Sequence, residues 1–260
     1  MFNKTQVLAM EESTASAGNS HPCPALKTFV DKLGSILCGC QNANKYKRLD
    51  AKLEKKMVEI RPTISRHDSF RTINSIILKF PQLREQIQNL RDVFLQYDED
   101  HNGFLDRDEL RKCLNNLQSN LTTKDFDDVF HSCDVDGNGL IQFHEFIVFL
   151  CLIFLLSRPS SSSSENITRF GTVELEATFE AVLQAFFCMD KNCDGKLNKS
   201  DMIMSLTDAP CERSPAHITK TRFKEMDKDK DGNVSFREFL FTLTSWLGID
   251  SDEEIPVHDT

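Results

Sequence analysis

The chain has 260 residues, room for one or two domains with a substantial core, and an ordinary globular composition apart from 20 phenylalanines and a net charge of −9. That charge is unevenly divided: residues 1–97 carry 15 Lys+Arg against 9 Asp+Glu, and residues 98–260 carry 16 against 31. The acidic part suits cation binding and argues against nucleic acid, while nine irregularly spaced cysteines without a secretory signal or a CxxC–histidine set argue for free thiols and against zinc.

Residues 1–25 read as a polar, disordered tail, and its acidic Glu11 and Glu12 argue against an organellar transit peptide. Residues 26–80 read as a basic helical extension. Leu26, Val30, Leu33 and Leu37 recur at helical spacing and run into Cys38-Gly39-Cys40. S-acylation of Cys38 and Cys40 would attach the chain reversibly to a membrane; the plain alternative is two ordinary thiols. A second helix is predicted over Asn44–Ile60. Its apolar stripe is Tyr46, Leu49, Leu53, Met57 and Ile60, and its basic face is Lys45, Lys47, Arg48, Lys52, Lys55 and Lys56. Such a helix suits a helix-binding groove, an anionic bilayer, or packing on its own domain with solvated lysines. Pro62 is expected to end it. Phe70, Ile73, Ile77 and Phe80 predict another short helix, and Arg66-x-x-Ser69 fits a basophilic kinase site, a common pattern.

Pro81 is expected to open the next helix, at a position where a missing N–H costs nothing. Leu83, Ile87, Leu90 and Phe94 form its stripe and lead into Asp98–Glu109, DEDHNGFLDRDE. Leu110, Leu114 and Leu117 mark the helix beyond, and Thr122 with Asp125 makes a capping box for the one after. Asp134–Glu145 then reads DVDGNGLIQFHE. The following stretch is apolar all round, but its longest run, Phe146–Leu156, has eleven residues, where a membrane span needs about 20. Residues 158–171, with Arg158-Pro159 and Ser160–Ser164, read as a linker. Thr172 can cap a helix bearing Leu175, Phe179, Val182 and Phe186 on one face. Asp190–Asp201 reads DKNCDGKLNKSD and Asp227–Glu238 reads DKDKDGNVSFRE. Phe239, Leu243, Trp246 and Leu247 mark a last helix that Gly248 can end, and 250–260 is an acidic tail.

The four twelve-residue series share one chemistry. Oxygen-bearing side chains fall at every second residue, a glycine stands sixth where the chain turns sharply, and a carboxylate closes the series. A hard divalent cation takes six to eight oxygens, so a short segment must offer oxygen repeatedly from one side. Candidate ligands in loop one are Asp98, Asp100, Asn102, Glu109 and the carbonyl of Phe104. In loop two they are Asp134, Asp136, Asn138, Glu145 and the carbonyl of Leu140. Loop three offers Asp190, Asn192, Asp194, Asp201 and the carbonyl of Lys196. Loop four offers Asp227, Asp229, Asp231, Glu238 and the carbonyl of Asn233, with Ser235 placed to hold a bridging water.

Loops one, two and four satisfy the full EF-hand loop pattern, and loop three departs from it only at Asp201. Asp is one methylene shorter than Glu, which makes bidentate reach harder and octahedral magnesium geometry easier. The expectation is therefore three to four Ca2+ sites, with loop three weak or filled by Mg2+. Loops one and four carry four carboxylates near the ion, Asp106 being the fourth in loop one, against three in loop two. On charge count they rank first.

Asp98 and Asp134 are 36 residues apart, Asp190 and Asp227 are 37 apart, and the middle interval is 56. The period implies two paired lobes, 81–157 and 172–249. An apolar residue at position eight of each loop (Leu105, Ile141, Leu197, Val234) predicts a short two-strand ribbon within each pair. A phenylalanine stands four residues before each loop: Phe94, Phe130, Phe186 and Phe223. The fold class expected is all-α, two pairs of helix-loop-helix units behind an N-terminal helical extension.

On these residues the chain resembles the calmodulin-like family of EF-hand proteins, most closely its plant members, over residues 81–247. Residues 1–80 have no counterpart in calmodulin. The resemblance implies a calcium sensor without enzymatic activity that engages target proteins through amphipathic helices. No nucleophile–base set or phosphate loop stands out beside it. Three readings of the response follow. Filling would open an apolar groove in each lobe, for which Met189, Met202, Met204 and Met226 are suited. In a buffer, the hands would bind and scarcely open. In a self-inhibited sensor, the helix at Asn44–Ile60 would occupy a lobe's groove. The expected location is cytoplasmic, with room for peripheral membrane contact through the basic segment or acylated Cys38 and Cys40, and with the nucleus left open.

Overall fold

The computed structural model describes residues 46–64, 73–117, 121–158, 171–207 and 216–249. The predicted tail at 1–25, the helix at 26–37, Cys38 and Cys40, the Arg66–Ser69 motif, Ser160–Ser164 and the tail at 250–260 lie outside the described residues.

Amphipathic stripes become helices in the order α1 (Lys47–Ile64), α2 (Ile73–Gln88), α3 (Leu90–Tyr97), α4 (Arg107–Asn116), α5 (Thr123–Cys133), α6 (Phe143–Ser157) and α7 (Val173–Met189). Then come β1 (Leu197–Asn198), α8 (Lys199–Thr207), α9 (Ala216–Met226), β2 (Asn233–Val234) and α10 (Phe236–Trp246). Both threonines cap as expected, Thr122 Oγ1 accepting from the N–H of Asp125 at 3.1 Å and Thr172 Oγ1 from that of Leu175 at 3.2 Å. The capping box at Thr122 is only half made, because the Asp125 carboxylate takes Lys52 instead. The position-eight residues pair as expected. Leu105 and Ile141 exchange two backbone hydrogen bonds of 2.9 Å, and β1 and β2 run antiparallel with Leu197 opposite Val234. The architecture is all-α around these two short ribbons.

Two expectations about prolines fail. Pro62 does not end α1, which continues to Ile64. Pro81 does not open a helix; it lies inside α2, which starts at Ile73, and the break comes later, at Asn89 between α2 and α3. A proline in a helix forfeits one hydrogen bond and crowds a carbonyl. Both prolines sit on exposed helix faces, where a carbonyl left without its N–H partner meets water. Burial on the opposite faces, Ile60 and Ile64 in α1, Leu83 and Ile87 in α2, holds the helices together past them.

α6 explains its own composition. Twelve of its fifteen residues are buried, because α1, α3, α5, α7 and α10 all pack on it. A helix that is apolar all round belongs inside a core, and among the described residues no helix is long and apolar enough to cross a membrane. The two lobes repeat one aromatic triad. Phe94 stands edge-on to Phe143 and Phe146 with centroids at 5.6 and 5.4 Å, and Phe186 to Phe236 and Phe239 at 5.2 and 5.3 Å. Through α6 and α10, which pack on each other, the two cores merge into one cluster.

α1 is part of that cluster. Leu49, Leu53, Met57, Ile60 and Ile64 are buried, against α6, α7 and α10, while Lys47, Arg48 and Lys55 stay exposed. Polar contacts fix its register: Tyr46 Oη donates to the carbonyl of His131 at 2.8 Å, Lys52 pairs with Asp125 at 2.5 Å, and Asp50 with Arg237 at 3.4 Å.

Candidate metal centres

The loops are built by backbone turns. Each has a left-handed residue at position six (Gly103, Gly139, Gly195, Gly232) and another at position four (His101, Gly137, Cys193, Lys230), with φ between 55° and 89°. The glycine at position six follows from the twelve-residue pattern, whereas the turn at position four is written in the sequence only in loop two, as Gly137. Between these turns the first aspartate gathers backbone donors. Asp98 accepts from the N–H groups of Asn102 at 3.1 Å and Gly103 at 3.0 Å, and Asp190 from those of Asp194 at 3.2 Å and Gly195 at 3.1 Å.

The closing residue works the same way in all four loops, bridging position two to position nine. Glu109 accepts from the N–H groups of Glu99 and Asp106 at 2.9 and 2.8 Å. Glu145 accepts from Val135 and Gln142, both at 2.9 Å, and Glu238 from Lys228 and Ser235 at 3.0 and 2.9 Å. The shorter Asp201 reaches Lys191 at 3.2 Å and Asn198 at 3.0 Å. It is fully buried.

In three loops the carboxylates converge. Asp98, Asp100 and Glu109 each bring an oxygen within 4.8 Å of the others, as do Asp134, Asp136 and Glu145, and Asp227, Asp229 and Asp231. Glu238 stands outside loop four's trio, held on backbone N–H groups. Asn102 and Asn138 donate to Asp100 and Asp136, each at 2.8 Å, at the margin of their clusters. Phe104, Leu140, Lys196 and Asn233 each follow the position-six glycine, so any contribution is through their carbonyls. Two of the predicted contributors have other occupations. Asp106 caps α4, accepting from Asp108 and Glu109 N–H at 2.8 and 2.9 Å, which leaves loop one with the same converging trio as loop two. Ser235 caps α10.

Among the described residues, loop three contributes no converging group: Asp190, Asp194 and Asp201 do not come together. Asn192 donates instead to Asp194 at 2.8 Å, and Asp190 Oδ2 receives Arg61 Nη1 at 2.9 Å. Sequence reasoning missed Arg61, which lies 129 residues from its partner.

The electrostatics favour a cation where the carboxylates meet. Burial pushes Glu145 up to about 7, against the N–H bonds from Gln142 and Val135, and the neighbouring Asp136 and Asp134 push it further. Burial also raises Asp227 and Glu238. Asp134 Oδ1 and Asp227 Oδ1 are buried with no hydrogen-bond partner, and an orphaned carboxylate oxygen beside other carboxylates is costly without a positive ligand. Loops one, two and four therefore fit a hard, oxygen-ligated divalent ion, and loop three as it stands does not.

Paired helix-loop-helix units joined by a loop-to-loop ribbon, with carboxylates converging inside the loops, define an EF-hand protein. The family model described as an EF-hand domain pair matches residues 87–150 and 179–243. The chain is 47% identical over 224 residues, 84% of its length and 98% of the relative's, to Probable calcium-binding protein CML22 of Arabidopsis thaliana. It is 40% identical over 205 residues to Probable calcium-binding protein CML21 of the same plant, covering 78% of this chain and 88% of that one. The chain belongs to the plant calmodulin-like EF-hand proteins. Its 26% identity to Calcium-dependent protein kinase 9 of Oryza sativa subsp. japonica covers 62% of this chain but 24% of the kinase.

Proposed function

We propose that the chain is a calcium sensor, acting by binding rather than catalysis, whose response passes through the exit helices to α1. The observation that carries this reading is the position of the closing glutamates. Glu145 and Glu238 stand in the first turns of α6 and α10, the two exit helices on which α1 lies. A divalent cation supplies positive charge that competes with backbone N–H groups for these carboxylates. A carboxylate drawn toward its loop pulls on the first turn of its helix. α6 has no free face to absorb such a shift, so the movement reaches the elements packed on it. The surface under α1 already holds one amphipathic helix, and a target helix of the same pattern is its natural replacement.

Of the four methionines suited to a target groove, Met189, Met202 and Met226 are buried and Met204 is exposed. The second reading is a buffer, in which the loops fill and α1 stays. Binding of a hydrophobic dye, or capture on phenyl resin, with and without calcium separates the two. A sensor gains apolar exposure with calcium, whereas a response flat across the titration leaves only the buffer.

A further inference from the structure

Loop three carries a cation already. Arg61, near the end of α1, donates to Asp190 Oδ2 at 2.9 Å, to the carbonyl of Asp190 at 2.8 Å and to that of Phe187 at 3.0 Å. Its guanidinium also lies 5.3 Å from the centre of the Phe187 ring. Asp190 caps the C-terminus of α7, where unpaired carbonyls carry partial negative charge that favours a cation. The aspartate side chain is 1% exposed and the arginine 22%, so the pair is largely shielded from water. The backbone of α1 touches the same loop: a Cβ on Gly195 would come within 2.7 Å of the Glu54 carbonyl oxygen. Loops one, two and four differ. Among the described residues, Asp98, Asp134 and Asp227 form no salt bridge, and their loops are the ones in which carboxylates converge.

We propose that Arg61 sets the divalent-ion affinity of loop three, holding it below that of the other loops and coupling its filling to release of α1. The argument is charge against charge. A guanidinium on the first ligand cancels part of the loop's negative charge and repels a dication brought to the same carboxylate. Coupling is reciprocal, so whatever α1 costs the ion, the ion costs α1. Asp201 weakens the loop by its length, and Arg61 weakens it independently by its charge. The proposal rests on the calcium-binding reading of the other loops.

The test uses the full chain with 15N-labelled glycine, because Gly103, Gly139, Gly195 and Gly232 report the four loops one by one in a calcium titration. In the unaltered protein Gly195 should be the last of the four to respond. Arg61→Met should lower the calcium midpoint at Gly195 by about tenfold, the scale of a unit charge acting on a nearby dication. Arg61→Lys, which keeps the charge, should leave it near the wild-type value. A Gly195 midpoint that is unchanged or raised in Arg61→Met overturns the proposal. If that variant does not fold, amide exchange in the unaltered protein decides. The amides of Leu53, Met57 and Ile60 should exchange faster over the calcium range that shifts Gly195, and exchange that stays constant across that range overturns the proposal as well. Were none of the four glycines to respond, the calcium reading itself would fail and this inference with it; a response at three glycines with no effect of Arg61 sinks this inference alone.

Discussion

Replacing Leu53 by alanine tests whether α1 belongs to the core or only leans on it. Leu53 is 1% exposed on a helix packed against α6, α7 and α10. Removing its three outer carbons leaves a cavity that rigid neighbours on three sides cannot fully close. Buried leucines truncated this way cost about 2–5 kcal/mol, and a site hemmed in by a largely buried helix belongs near the middle, about 3 kcal/mol. Val58 lies on the same helix and is 47% exposed, so Val58→Ala should change stability by less than about 0.5 kcal/mol. Urea unfolding of the calcium-free full chain, followed by far-ultraviolet circular dichroism, reads the difference. With a slope of about 2–3 kcal/mol per molar, Leu53→Ala should lower the midpoint by roughly 1 M. Equal midpoints for the two variants would mean that α1 is detached in solution, and the proposed relay from α6 and α10 would lose its last element.

Other outcomes follow from the loops. Burial holds Glu145 near 7, above its ordinary value of 4.5, so between those values the folded chain binds a proton that the unfolded chain releases. This contribution to the ion-free fold is fully present below about pH 4.5 and is lost as pH rises through about 7. Calcium competes with the same proton, so affinity at loop two, read at Gly139, should fall about tenfold between roughly pH 8 and pH 6; a flat profile would place the Glu145 carboxyl in water. Gly195→Ala and Gly232→Ala both force an L-residue to a left-handed φ, +84° and +89°, but only the first also meets the Glu54 carbonyl. Thermal unfolding should show Gly195→Ala the costlier by about 1–2 kcal/mol, and equal losses would contradict the seat of α1 on loop three. Asp201→Glu restores the missing methylene. Calorimetry should then find tighter calcium binding at loop three, more so when combined with Arg61→Met; no gain in either background would remove the length argument.

How much of this was legible in the sequence depends on how far each interaction reaches. The loops are local, and twelve residues specify oxygens, turn and closing carboxylate together, so their places and pairing could be read directly. Position four was readable only where loop two spends a glycine on it; His101, Cys193 and Lys230 are held left-handed by the loop around them. Asp106 misled because an aspartate in the ninth position of such a loop is also an N-cap, and the cap prevailed. Pro62 and Pro81 were misplaced by a rule that holds for isolated helices. It fails when burial on the far face holds the turn beyond the proline, as Ile64 does past Pro62 and Leu83 and Ile87 do past Pro81. Arg61 had no local signal at all, since a salt bridge across 129 residues leaves no spacing to recognise.

The seat of α1 is the instructive middle case. A basic amphipathic stripe looks the same whether its partner is a bilayer, a target groove or its own chain, and pattern alone cannot choose. The choice lies in the complementary surface. α6 is apolar on every side yet its longest apolar run is only eleven residues, too short for a membrane span, so its faces must be covered by protein. Its own lobe supplies α3 and α5. The second lobe supplies α7 and α10, and α1 covers more. Two anomalies, a helix with too much apolar surface and another with a stripe and no stated partner, thus resolve each other. Under the proposed exchange, a target helix would have to match an apolar face, and the acidic loops beside that face would favour lysines and arginines like those α1 carries.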